Sequence, residues 1–262
     1  MTDSYTGADL FVDALEAYDV PYLFGNPGTT ELPLMEALPD SDIEYMLGLH
    51  EDVAVGAAAG FAQTRRYHAD YDPDIRPAGV ANLHITPGLA HGLGNLYGAS
   101  MTGAPLVLTA GNHELDFRHE EPILTGDLEA LTDQFCKYAA EVTSVDSLAM
   151  MVRRAFRTAL TPPTGPVFLG LPVDVMMAET DDRPEPLGPI RDAGRADIGV
   201  VVGVIAAGVG GGRRPGAGPG PLAAGQGLHF SGRRWPPSRG GGRVAGCGAA
   251  TGACSSRGAR HP

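Results

Sequence analysis

Lysine is almost missing from this sequence. Lys137 is the single one, so arginine makes up 18 of the 19 basic residues. Cysteine is scarce as well: Cys136, Cys247 and Cys254 stand apart, with no C-x-x-C spacing among them. Such a pattern excludes a zinc ribbon and a disulfide framework and fits a reducing compartment, so the expected location is the cytoplasm. Residues 1–10 include Asp3 and Asp9 and have no basic stretch leading into an apolar one, which excludes a secretory signal. Long hydrophobic runs are absent too. The longest, residues 198–210, is 13 residues long and rich in glycine, too short to cross a bilayer. A soluble protein with no membrane partner is expected.

Acidic residues are missing after Asp197, although 31 lie at or before it. The first 200 residues carry 11 basic side chains against those 31, a net of −20, and the last 62 carry eight arginines. An acidic surface this dense suits high salt, where screening shortens and self-repulsion costs little, so a halophilic protein is expected. The same charge argues against nucleic acid as a partner of the front part. Apolar residues make up 43% of the chain, enough for a core.

The back part is different material. Residues 201–262 hold 18 glycines and six prolines, a low-complexity composition that cannot bury enough surface to offset the entropy of ordering. Two readings compete. One is a basic disordered arm that binds nucleic acid or an acidic partner. The other is a frameshift, because GC-rich DNA read out of frame yields Gly, Ala, Arg and Pro, and the abrupt loss of acidic residues favours it. The expected organisation is one domain over residues 1–180, a proline-rich acidic linker over 181–197, and a tail over 198–262.

Within the domain, Leu10, Phe11, Ala14, Leu15 and Tyr18 recur at helical spacing, which predicts a helix over 7–19. Residues 21–25 form a short apolar strand ended by an Asn26-Pro27-Gly28 turn, and Thr29 or Thr30 can cap a helix running to Leu38. A strand is expected over 43–49 and an alanine-rich helix over 51–66. Next come a strand over 78–84, a turn at Pro87-Gly88, a helix over 89–100 and a strand over 105–110. A polar loop, a strand over 138–142, a helix over 145–160 and a strand over 166–171 complete the pattern. Strands alternating with helices in this way predict an α/β fold, a parallel sheet with helices on both faces.

In such sheets ligands sit beyond the carboxyl ends of the strands. Three of the loops there carry chemistry: Gly25-Asn-Pro-Gly-Thr29, His50-Glu51, and His84-Ile-Thr-Pro-Gly88. Glycine and proline have backbone reasons to be in turns, and an acidic residue in a first helical turn is favoured by the helix dipole, so no loop is decisive alone. His113-Glu114 and His119-Glu120 sit in the polar loop with no third ligand at suitable spacing, so a solvated loop is expected there, not a metal site. His91 lies on the helix after Pro87.

The combination is more specific. Phe24-Gly-Asn-Pro-Gly-Thr-Thr-Glu-Leu-Pro33, Leu49-His-Glu51 with Ala57-Ala-Ala-Gly-Phe-Ala62, Asn82-Leu-His84, Ala104-Pro-Leu-Val-Leu-Thr-Ala-Gly111 and Gly165-Pro-Val-Phe-Leu-Gly-Leu-Pro-Val-Asp174 occur in order. This series resembles the N-terminal, pyrimidine-binding domain of thiamine-diphosphate-dependent decarboxylases and acetolactate synthases over residues 5–180. The Asn-Pro-Gly turn and the Asn-Leu-His strand end are most similar to the benzoylformate decarboxylases. The resemblance implies thiamine diphosphate as cofactor and a 2-keto acid as substrate. Glu51 would hydrogen-bond the pyrimidine N1′, with its ionised form disfavoured by Val53, Val55 and the strand before it. His84 would move a proton in the substrate pocket. Thr29, where those enzymes have serine, would contact the substrate, and Gly25, Asn26, Pro27 and Gly28 would bring the backbone close to the cofactor. The family holds the diphosphate and Mg2+ on a Gly-Asp-Gly motif with a following Asn. Gly126-Asp127-Leu128 lacks the last glycine, so no metal site is expected in this chain. The family also builds its site between two subunits, which implies a homo-oligomer. A carboligase of the acetolactate synthase type, and one subunit of a two-chain enzyme, remain alternatives.

Overall fold

Helix α1 (Gly7–Ala17) starts at a full capping box. Thr6 accepts from the Asp9 amide, and the Asp9 carboxylate accepts from the Thr6 amide at 2.7 Å. A computed structural model supplies this geometry and describes residues 4–69, 72 and 75–190. The arm or frameshift product expected over 198–262, and the linker beyond 190, lie outside the described residues.

After α1 come β1 (Tyr22–Asn26), α2 (Leu32–Ala37), β2 (Glu44–Leu47) and α3 (Glu51–Ala69). Then follow β3 (Gly79–Leu83), α4 (Ile85–His91), α5 (Leu93–Thr102) and β4 (Leu106–Asn112). The described chain ends with α6 (Leu128–Thr132), β5 (Ala139–Glu141), α7 (Val145–Leu160), β6 (Val167–Pro172) and α8 (Val173–Met177). All six strands pair in parallel, in the order β2-β1-β3-β4-β6-β5. One face packs α1, α2, α7 and α8 through Leu10, Phe11, Leu15, Phe156 and Val152 onto Leu23, Val80, Val107 and Leu169. The opposite face packs α3, α4 and α5 through Ala54, Val55, Ala58, Leu89 and Leu96 onto Ala81, Leu83, Leu108 and Phe168. The fold is therefore α/β with helices on both faces, and both strand faces are apolar because both are covered.

Three local expectations are corrected. Pro87-Gly88 is no turn; both residues lie inside α4, which starts directly after His84. Proline fits there because a third-position amide has no intrahelical partner to lose. Neither Thr29 nor Thr30 caps a helix: residues 29–31 form one 3-10 turn, and α2 follows without a side-chain cap. The polar loop after β4 also contains α6, capped by Asp127 accepting from the Ala130 amide at 2.9 Å.

Residues 181–190 have no helix or strand. They are pinned along α1 and α7: Tyr18 donates to the Glu185 carbonyl at 2.7 Å, Arg157 donates to the Leu187 carbonyl at 2.7 Å, and Leu187 is buried.

Candidate functional site

The chain forms β1, crosses to β2 on one side of it, and returns to place β3 on the other. The carboxyl ends of β1 and β3 are thus the point where the winding reverses, the place where open α/β sheets bind ligands; here the segments that leave them touch, through Glu31 and His84. The β2–α3 loop lies beside them, tied to β1 by Asn26 Nδ2 donating to the Gly48 carbonyl at 3.1 Å. These three segments carry the residues singled out from the sequence.

At the centre is a residue that sequence reasoning missed. Glu31 is 2% exposed, and its carboxylate is fully engaged. Oε2 accepts from the Gly28 amide at 2.7 Å and lies 2.8 Å from His84 Nδ1, while Oε1 accepts from Thr30 Oγ1 at 2.8 Å. Thr30 Oγ1 is also 3.2 Å from His84 Nδ1. His84 sits at the end of β3 with its ring nitrogen fixed, which leaves Nε2 as the nitrogen free for chemistry. Glycine is required around this dyad. A Cβ on Gly28 would run into the His84 ring, and one on Gly111 would strike Glu31 and Thr30. Burial, and after it the charge of Glu31, pushes the Tyr45 phenol above its ordinary range.

His84 is held in place partly by its successor. Ile85 has φ 44°, an unusual angle for a β-branched residue, yet its side chain is 1% exposed. That single residue turns the chain from strand to helix with no linking loop.

Glu51 opens α3 and is partly buried. Its Oε2 lies 3.3 Å from His91 Nδ1, and the His91 and His50 rings are 5.5 Å apart at 30°. Gly88 lies between the two candidate groups. A Cβ built on it would stand 3.6 Å from Glu51 Cγ and Oε1 and 3.6 Å from His84 Cβ. Glu51 and His84 therefore flank one buried glycine.

The apolar surroundings expected for Glu51 are incomplete. Val55 is fully buried, but Val53 is 61% exposed, and Leu49 stands 92% exposed. Thr29 is exposed at the rim, whereas its neighbour Thr30 faces inward. His113 and His119 contact backbone carbonyls at Ile123 (2.9 Å) and Asp116 (2.6 Å). The three-residue group of potential metal ligands among the described residues is instead His50, Glu51 and His91.

Residues 5–136 match the family described as thiamine pyrophosphate enzyme, N-terminal TPP binding domain. The chain belongs to this family. A benzoylformate decarboxylase from Pseudomonas aeruginosa is 35% identical over 163 residues, 62% of this chain and 29% of that protein. An acetolactate synthase isozyme 2 large subunit from Escherichia coli is 29% identical over 178 residues, 68% of this chain and 31% of that protein. The solved structure of a thiamine diphosphate-dependent 4-hydroxybenzoylformate decarboxylase from Rhodococcus jostii aligns with a TM-score of 0.64 at 27% identity, covering 77% of this chain and 37% of that one. The chain thus spans about a third of the length of these relatives, at their N-terminal part. No helix among the described residues is long and apolar enough to cross a membrane.

The loops fit half of the thiamine pyrophosphate family's cofactor. A partly buried carboxylate at the ligand-binding end of the sheet suits the nitrogen edge of a flat aminopyrimidine. The loops over residues 26–31, 48–51 and 84–88 contain no lysine or arginine, so they offer a diphosphate no charge partner.

Proposed function

We propose that this domain holds the aminopyrimidine of thiamine diphosphate for decarboxylation of a 2-keto acid, of the benzoylformate class, in an assembly that supplies the diphosphate and Mg2+ site. The supporting observation is the pair of proton-carrying groups bordering Gly88: Glu51 on one side and the Glu31-held His84 on the other. When bound, the cofactor supplies the carbon nucleophile and the electron sink. Glu51 presents a carboxyl oxygen to the pyrimidine N1′ and holds the proton that biases the ring. The backbone of Gly25, Asn26, Pro27 and Gly28 lets the ring approach. His84 offers Nε2 to the substrate as donor or acceptor, and Glu31 keeps its ring from turning. Thr29, at the rim, meets the substrate carboxylate. The exposed Leu47, Leu49 and Val53 are covered by a second subunit in a homo-oligomer, which also dries the surroundings of Glu51.

The 262 residues alone should show no turnover with thiamine diphosphate, Mg2+ and benzoylformate. Residues 1–180 joined to the remaining domains of the Pseudomonas enzyme should release benzaldehyde. Glu51→Gln in that fusion should lower kcat by a factor of roughly 10²–10⁴, the usual weight of a positioned acid–base group. A glutamine variant as fast as its parent would remove Glu51 from the mechanism. Condensation products in place of the free aldehyde would instead assign the domain to the carboligase branch.

A further inference from the structure

His50, Glu51 and His91 come from two neighbouring helix ends: His50 precedes α3, Glu51 opens it, and His91 closes α4. One ligating atom from each lies within 4.8 Å of the others. Zinc-type bonds of about 2.05 Å in a tetrahedral shell place neighbouring ligand atoms about 3.3 Å apart. The Glu51 Oε2 to His91 Nδ1 separation is already 3.3 Å. His50 needs only a small swing to join them, and its ring is exposed.

We propose that His50, Glu51 and His91 bind a divalent transition ion of borderline softness, such as Zn2+, Co2+ or Ni2+. Two imidazoles and one carboxylate form a donor set suited to these ions and poor for Mg2+, which prefers oxygen ligands and retained water. The neighbouring carboxylate does not join. Asp52 is held by the Asn95 amide at 2.6 Å and by Asn95 Nδ2 at 3.0 Å. Water completes the shell on the open side. Ligation by either nitrogen of His50 gives up the 3.1 Å bond its Nδ1 accepts from the Asp52 amide, a helix-terminal donor that water can take over. His91 ligates as the neutral imidazole: with the ion on Nδ1 its ring proton is carried on Nε2, and Glu51 Oε2 turns from His91 to the ion.

One consequence rests on the role of Glu51 proposed above: the carboxylate that would hold the ion is the one offered to the pyrimidine, so ion and cofactor compete for it. The site itself does not depend on that role, and its test uses no cofactor. The 262-residue chain, stripped with a chelator, is titrated with Co2+ and followed by visible ligand-field absorption. One equivalent should bind with bands stronger than those of the aqueous ion. Zn2+ should displace it, and excess Mg2+ should not. His50→Gln and His91→Gln should each weaken binding at least about tenfold, and circular dichroism should report unchanged folding, since both side chains are exposed. Bands that stay those of the aqueous ion overturn the proposal. So does full affinity in the variant lacking both histidines, because the ion would then sit on other residues.

Discussion

Glu31 accepts two hydrogen bonds and faces an imidazole while almost wholly removed from water, so its loss leaves donors unpaired inside the protein. Glu31→Gln keeps one acceptor oxygen where the Gly28 amide and the Thr30 hydroxyl each use one. Stability should drop by about 1–3 kcal/mol in urea unfolding. In the active fusion, kcat should fall and the pH–rate profile should move, because His84 is then free to rotate; an unchanged profile would mean that Glu31 only packs. Gly28→Ala should displace the His84 ring and impair activity in the same way, with little change in α1 or α7. In the sequence, Glu51 and His84 stand out because each follows a strand at the ligand-binding end of the sheet. Glu31 does not. In Thr-Thr-Glu-Leu-Pro it reads as an ordinary acidic residue of a helical first turn, and its partner lies 53 residues away.

At the level of the element, the Thr6–Asp9 box is a clean test of local control. Thr6→Ala removes the acceptor for the Asp9 amide and should cost about 1 kcal/mol, measured by thermal or urea unfolding. Long elements were readable from sequence: α1 lies where apolar spacing puts it, α3 where its run of alanines puts it, and α7 over the residues expected, because each buries residues against the sheet. Shorter pieces were not. α6 and α8 are five residues each, too brief to display a period, and both are fixed by packing. Pro87 misled for a physical reason, since a proline in a helix's first turn looks the same as one in a loop when the start of the helix is unknown.

For the molecule as a whole, alkaline pH should be the weak side. Burial, and then Asp133, pushes the Cys136 thiol from 9.0 to about 12. Burial raises the Tyr18 phenol from 10.0 to about 12. Both groups hold their protons more tightly when folded. The stability these two groups contribute should therefore be complete below pH 9 and be lost between pH 9 and 12, as the unfolded chain gives up protons that the folded one retains. Cys136→Ala should flatten that decline in a series of Tm measurements. Peptide mapping after iodoacetamide at pH 8 should find Cys136 unmodified unless the protein is first unfolded. The charge imbalance makes a separate prediction: Tm should rise steeply from low to molar KCl as repulsion among the acidic side chains is screened. Sheet order was not legible from the sequence, because alternation of strands and helices is common to several windings. Only the structure places β1 between β2 and β3 and so locates the point where the winding reverses.

The conformation at Ile85 reaches beyond its own residue. An uncommon backbone angle survives only where the surroundings hold it, and here the residue that carries it has a fully buried side chain. The neighbouring imidazole is thus aimed while the polypeptide folds and waits already oriented when a reactant arrives. Whatever the domain acts upon meets a tool set beforehand, and tolerance for mutation should be lowest at the position that never touches the reactant.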